Sequence, residues 1–576
     1  MYPIQQNYSY VHGSYVNKPE NTHDAAIICI KNVNEPYDSK LQIIRDPQIP
    51  VYVTKKGLRT FTEKREYMFK KDLDMYICPY RDMSATLFKA LNGFRPSGFV
   101  QPKKLLQSPY VYGCDAEILS LIKAEYLENC QKTPKRYSIG IFDLETSVLG
   151  GNEILCASYS DWNTRTTHAV ILKSWYGENK SNEEIFKELN ERYDKEIGLF
   201  EDGLNDKARK VWSKNNWNVK WYILNTEKDL IFKLFEIIHS CKPEFCGAWN
   251  IGYDIPYIIE RCKFLQIDTV QLFAHPDVPE EFRKFEWNAD ERKDLDHFTD
   301  KWPTIDAPGY TYWYDAMCLY SRLRKVVGRE VMYTLDYIGN KNIGTGKMHF
   351  GSNATHYQMQ TNDICGYCVY NCIDTLIPSI MDAITDDVSS MIALCGPSLI
   401  TDFAHQTVQL KTQFYEYCKS KGAVPGTVCG SIAGEHDYAI GNVGGAVLNP
   451  SMMKDRGSKS IEESDDSTSL YKLAADIDVS SFYPSLTIAF NISRETKYAT
   501  VVWVEGCPFT LDDIKNCDSD NKRELMRKEN AEYIDQLFGA IPTVMENAIS
   551  LAHRHFKLPN YEELLNDYVN TKNNLV

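Results

Sequence analysis

The sequence has no uninterrupted run of the ~18 to 20 uncharged apolar residues that a membrane helix needs, and its opening MYPIQQNYSYVHGSYVNKPE lacks the basic and apolar regions of a secretory signal. A cytoplasmic protein with no membrane partner is therefore expected. A cysteine framework is also missing. The 17 cysteines are odd in number and scattered without regular spacing, so free thiols are expected and a structural disulfide is not. No internal repeat is found. Positive charge is in short supply, with 64 Lys/Arg against 78 Asp/Glu and a net charge of −14, which excludes a uniformly basic coat for nucleic acid. The shortage is uneven, since residues 1–136 carry net +6 and the remainder net −20. An excess of carboxylates in the bulk suits a metal-dependent catalytic body or a solvated acidic face. Low complexity is confined to GSKSIEESDDSTS (Gly457 to Ser469), which has too little apolar content to pack and reads as a surface loop.

What is present is an ordinary globular composition of 43% apolar and 25% charged residues over 576 positions, enough for three or four domains. Tyr137 to Leu144, Glu153 to Ser160 and Thr167 to Trp175 read as three successive strands. The polar stretch from Gly177 to about Asn218 includes the helix-like SNEEIFKELNERYDKEI and is expected to decorate the surface. Thr226, followed three residues later by Asp229, caps a helix running to Cys241. Phe245 to Trp249 then reads as a strand feeding a second helix, with Asp254 at the junction.

Four constellations carry chemistry. Asp143 and Glu145 are i and i+2 on a strand, so their carboxylates project together and can share a divalent cation. Asp254 is either a helix cap or a further ligand. In DICGYCVYNCIDTLI, Tyr370 and Asp374 lie one above the other on a helix, while Cys365, Cys368 and Cys372 fall on roughly the opposite face. A zinc reading of Cys365-x-x-Cys368 lacks a second ligand pair nearby, so the three cysteines are read as the buried face. Lastly, Asp476 and Asp478 share a strand face in ADIDVSSFYPSLTIA.

Taken in order, these segments resemble family B DNA polymerases, and the T-even bacteriophage type in particular. IFDLET is similar to the first exonuclease motif, AWNIGYDIPYI to the second and YNCID to the third, while DVSSFYPSL is similar to polymerase motif A and FNISRET follows it. VGGAVLNP and YTLDYIGNK fit the same template. The spacings, 109 residues from Glu145 to Asp254, 120 more to Asp374 and 104 more to Asp478, carry the resemblance better than any single motif. One departure is Asn250, which three residues separate from Asp254 where the T-even type has four; this leaves the role of Asn250 open.

The resemblance implies an α/β (α+β multidomain) chain. It would comprise an N-terminal domain (1–135), an RNase H-like 3′→5′ exonuclease domain (136–385), a helical return segment (386–430) and a partial palm with the start of the fingers (431–576). It implies that Asp143, Glu145, Asp254 and Asp374 hold two Mg²⁺ or Mn²⁺ ions and that Tyr370 orients the attacking water. Asp478 would bind the polymerisation metals, Tyr483 would act as steric gate, and the backbone at Ser481 and Phe482 would meet triphosphate oxygens. Motif B and the Asp-Thr-Asp of motif C are not found in the 98 residues after Asp478, and NCDSDNK (Asn516 to Lys522) lacks the flanking strands of motif C. The expected partners are thus primer-template DNA and single-stranded 3′ ends, deoxynucleoside triphosphates, a second polypeptide carrying motifs B and C, and a sliding clamp. Two other readings are a stand-alone single-strand exonuclease with a structural palm remnant and a non-catalytic replication scaffold.

Overall fold

In a computed structural model the described residues are 2–426, except 63, 97–104, 131, 133, 135, 293–294, 296 and 351–354, together with 462–463, 469–470 and scattered positions between 509 and 529. The chain divides into two compact units, Met1–Gly441 and Asn442–Val576. The motif A residues Asp476, Asp478, Ser481, Phe482 and Tyr483 lie outside the described residues. Residues 521–529 are helical, so the end of NCDSDNK leads into a helix.

The first unit begins with strands β1 (Tyr8–Val16), β2 (Ala25–Asn32) and β3 (Ser39–Arg45), paired antiparallel in that order. A second sheet has the order β6-β4-β7, from β4 (Gln48–Thr54), β6 (Leu73–Pro79) and β7 (Val111–Tyr112). Between them in sequence, β5 (Tyr67–Phe69) pairs antiparallel with a much later strand, Ala423–Pro425. Helices α1 (Met83–Asn92) and α2 (Ile118–Asn129) bring Leu87, Ile118 and Ile122 onto Ile28, Ile30, Val51 and Val53.

The central sheet is six-stranded. It is built from β8 (Ile139–Thr146), β9 (Ile154–Asp161), β10 (Thr166–Leu172), β11 (Asn218–Leu224), β12 (Phe245–Ala248) and β15 (Tyr312–Asp315), in the order β11-β10-β9-β8-β12-β15. A small antiparallel pair, β13 (Glu286–Asn288) and β14 (Thr304–Asp306), precedes β15. β8, β9 and β10 pair antiparallel with one another, while β11 runs parallel to β10, and β12 and β15 run parallel to β8. An antiparallel meander followed by two parallel strands on its inner edge is RNase H-like, with β11 added outside. Gly140 is required in β8 because the buried Tyr159 ring sits where a Cβ would project.

Helices cover both faces of this sheet. On one side lie α5 (Glu227–Cys241) and α6 (Ile251–Leu265), burying Leu230, Leu234, Ile238, Ile255 and Ile258 against Phe142 and Leu144. Thr226 caps α5 as expected, its hydroxyl accepting the Asp229 N–H at 3.1 Å. On the other side lie α3 (Asn182–Gly203), α4 (Asp206–Val211) and α10 (Ile364–Thr385). Helix α3 opens with a Ser181/Glu184 capping box, but it does more than decorate the surface: Tyr193, Ile197 and Phe200 pack with Val369, Ile373 and Leu376 of α10. Its apolar positions recur at helical spacing within a polar stretch, and that periodicity outweighs the average composition.

Helix α10 also qualifies an expectation, because by length and composition its 22 residues could cross a membrane. Here 89% of that apolar window is buried in protein, which marks a core helix. Both of its faces are covered, with Cys368 and Cys372 fully buried and Ser158 of β9 lying 3.5 Å from Cys372 Sγ. Further helices among the described residues are α7 (Ala316–Arg324), α8 (Leu335–Ile343), α9 (His356–Asn362), α11 (Asp387–Cys395) and α12 (Gln406–Ser420), with short helical turns at Lys173–Gly177 and Thr269–Phe273, and β16 (Ala423–Pro425) closes onto β5. The 15 cysteines among the described residues are free thiols. In the second unit, β17 (Glu462–Glu463) and β18 (Ser469–Leu470) pair antiparallel, so part of the stretch expected to be a loop is paired strand.

Candidate active site

β8 supplies two acids on one face, as its period of two requires. Asp143 is half-buried and Glu145 is 8% exposed. α10 crosses above them and brings in Asp374, so that one carboxylate oxygen from each of Asp143, Glu145 and Asp374 lies within 4.8 Å of the other two. Asp254 is buried in the first turn of α6. That helix begins at Ile251, earlier than expected, so Asn250 and not Asp254 takes the cap position, without a side-chain capping bond.

Packing carboxylates so closely in the interior is unfavourable, and the acids respond in one direction. Burial and Asp374 push Asp143 up to about 8. Burial, then Asp143, raises both Glu145 and Asp254 well above the usual carboxylate range, so Asp254 shares the electrostatics of the trio. Asp374 is also raised by burial, with Lys347 and Tyr370 acting against the rise.

Three residues that the sequence reading missed complete the site. Lys347 Nζ donates to Asp374 Oδ2 at 2.5 Å and to the Tyr370 hydroxyl at 2.8 Å. Burial works against its charge, but Asp374, Tyr370 and Asp143 outweigh that and drive its pKa up. Asn371 Nδ2 donates to Asp143 Oδ2 at 2.7 Å, and the Tyr367 hydroxyl donates to Glu145. Tyr367, Asn371 and Asp374 are i, i+4 and i+7 on α10, a spacing that could have shown them to share the face turned to β8. Tyr370 stands beside that face, its ring stacked on Tyr367 at 5.7 Å. A fifth acid, Asp315, is an anchor. Its oxygens accept the backbone N–H groups of Ile251 and Cys318 at 3.0 and 2.7 Å, fixing the starts of α6 and α7.

The donor set fits a hard divalent cation. Its ligand atoms are all oxygen, and Asp374 Oδ1 is buried with no hydrogen-bond partner among the described residues. A stability consequence follows. Because Asp143 titrates higher when folded than its ordinary ~4, the folded chain holds protons that the unfolded chain releases as pH rises from about 4 to about 8. Metal-free stability therefore falls across that window. Asp143→Asn is expected to raise the EDTA melting temperature near pH 8 by about 2–4 °C per kcal/mol recovered. Thermal melts at several pH values check this.

The fold is RNase H-like, and its central sheet carries the cluster of acids. Residues 87–301 match the family model described as "DNA polymerase family B, exonuclease domain", a span that takes in Asp143, Glu145 and Asp254 and stops before Asp374. The chain thus carries a family B DNA polymerase exonuclease domain. It is similar to "DNA polymerase 120R" of Invertebrate iridescent virus 3, at 26% identity over 297 residues, 47% of this chain and 23% of that protein. It is also similar to "Putative DNA polymerase 060R" of Frog virus 3 (isolate Goorha), at 22% identity over 338 residues, 54% and 29% respectively. The matches span about a quarter of the length of these relatives.

Proposed function

We propose that the chain is a metal-dependent 3′→5′ exonuclease acting on DNA, and that it is the N-terminal portion of a viral, phage-type family B replicative polymerase. The observation that carries this reading is the buried convergence of Asp143, Glu145 and Asp374 with an unpartnered Asp374 oxygen. Asp143, Glu145, Asp254 and Asp374 would hold two Mg²⁺ or Mn²⁺ ions. When bound, such ions lower the pKa of water and neutralise charge developing on a phosphodiester. Asn371 and Tyr367 aim the Asp143 and Glu145 carboxylates, Lys347 fixes one oxygen of Asp374 and leaves the other free, and Tyr370 offers its hydroxyl to orient the water.

The finer reading keeps the division at 135, 385 and 430, with the T-even kinship resting on the motif spellings. Nucleotide addition would combine Asp478, Ser481, Phe482 and Tyr483 with motifs B and C from a second polypeptide, and with a clamp for processivity. A 5′-labelled primer-template incubated with the purified chain and Mg²⁺, with and without deoxynucleotides, tests both levels. Shortening without extension is expected, with extension appearing only when the second polypeptide is added. A strand left intact by Mg²⁺ and Mn²⁺ would overturn the exonuclease reading, and extension by this chain alone would overturn the need for a second polypeptide.

A further inference from the structure

β8 ends in an irregularity, since its pairing register with β9 shifts between Glu145 and Thr146. A shift of this kind frees backbone groups and re-aims side chains. Backbone groups at the shift and just beyond it are held by Gln360 of α9, which is 1% exposed. Its amide nitrogen donates to the Thr146 carbonyl at 2.7 Å, and its carbonyl accepts the Val148 N–H at 3.0 Å. The same nitrogen reaches the Tyr367 hydroxyl at 3.4 Å, and His356 Nδ1 lies 2.9 Å from that hydroxyl. A phenol has one proton, and here it goes to Glu145. Gln360 and His356 must then both donate to the phenol oxygen, which places the His356 proton on Nδ1.

Tyr367 is fully buried, with Trp175 edge-on and Tyr370 stacked, so its ring cannot swing away from Glu145. Val148 and Leu149 beyond the shift are half-exposed, so the segment that Gln360 holds faces outward beside the acids.

We propose that Tyr367, seated by Gln360 and His356, is the positioning residue that sets the Glu145 carboxylate for cation binding, and that Gln360 makes this setting depend on residues 146–149. The proposal rests on the metal-dependent reading of the site. Outer partners of this kind typically change metal affinity by about 10- to 100-fold when removed. Tyr367→Phe keeps the ring and removes only the hydroxyl. His356→Ala removes a donor from an exposed position and leaves the core intact. Gln360→Leu cuts the link to residues 146–149.

The test uses the full chain and two readouts. One is the Mn²⁺ dissociation constant, from the electron paramagnetic resonance signal of free Mn²⁺. The other is the Mg²⁺ dependence of shortening of a 5′-labelled oligodeoxynucleotide. Expected are about tenfold weaker Mn²⁺ binding for Tyr367→Phe and a smaller loss for His356→Ala, with shortening recovered at high Mg²⁺ and EDTA melting temperatures close to the parent. Gln360→Leu is expected to weaken Mn²⁺ binding and raise KM for the oligonucleotide together. Parental Mn²⁺ affinity in folded Tyr367→Phe and His356→Ala would overturn the proposal, as would a loss of rate that added metal does not recover. If the parent binds Mn²⁺ without degrading DNA and the variants still show these shifts in Mn²⁺ affinity, the proposal stands and the exonuclease reading falls.

Discussion

Asp143→Ala and Asp374→Asn are each expected to slow Mg²⁺-dependent shortening of a single-stranded 3′ end by about a thousandfold or more. Each removes one of the three converging carboxylates. A well-held cation contributes several kcal/mol to stabilising charge at the reacting phosphate, and each 1.36 kcal/mol is about tenfold in rate. The two changes are not independent. Asp143 feels Asp374, and Lys347 is charged by both, so the double variant should be little slower than either single variant. Single-turnover rates on a labelled oligonucleotide measure this, and a loss below tenfold in either variant would remove that carboxylate from the site.

The second large effect concerns stability. Lys31→Met is expected to destabilise the first unit by about 3–5 kcal/mol. Lys31 on β2 and Glu244 just before β12 are 1% and 2% exposed and paired at 2.7 Å. Glu244 also accepts from Ser39 and from the Ser138 N–H, so it ties the N-terminal sheet to the entries of β8 and β12. Removing the lysine leaves a buried carboxylate without its counter-charge, which costs more than the pair contributes. Adding Glu244→Gln should therefore restore part of the loss. Thermal melts of the two singles and the double decide the point, and strictly additive losses would show that the two side chains are not coupled.

Much of the central sheet could be read from local pattern. The three antiparallel strands, the Thr226 cap and the run into β12 appear close to where composition and periodicity put them, the largest miss being the third strand, which ends at Leu172 and gives way to a helical turn, Lys173–Gly177, where a strand to Trp175 was expected. The acids could be read for the same reason, since i and i+2 on a strand need no tertiary information to share a face. Less legible was everything supplied across the fold. Lys347 comes from a segment 27 residues before Asp374, with no local pattern linking the two, and Gln360 reaches Thr146 across 214 residues of sequence. Tyr367 and Asn371 were hidden differently. On a helix buried on both sides, apolar and polar positions are both covered, so the amphipathic contrast that separates a functional face from a packing face is weak. Asp315 shows the converse: an acid near the site whose oxygens serve backbone N–H groups is told apart from a ligand by its partners alone.

The central claim is that these buried acids hold divalent ions that cleave DNA from its 3′ end. The most direct measurement follows one single-stranded oligodeoxynucleotide labelled at either end, with the full chain, in Mg²⁺ and in EDTA. The account predicts that in Mg²⁺ the 5′-labelled strand shortens through a ladder while the 3′-labelled strand releases its label at once as mononucleotide, and that EDTA stops both. Internal cuts, release of the 5′ label first, or degradation that persists in EDTA would contradict it.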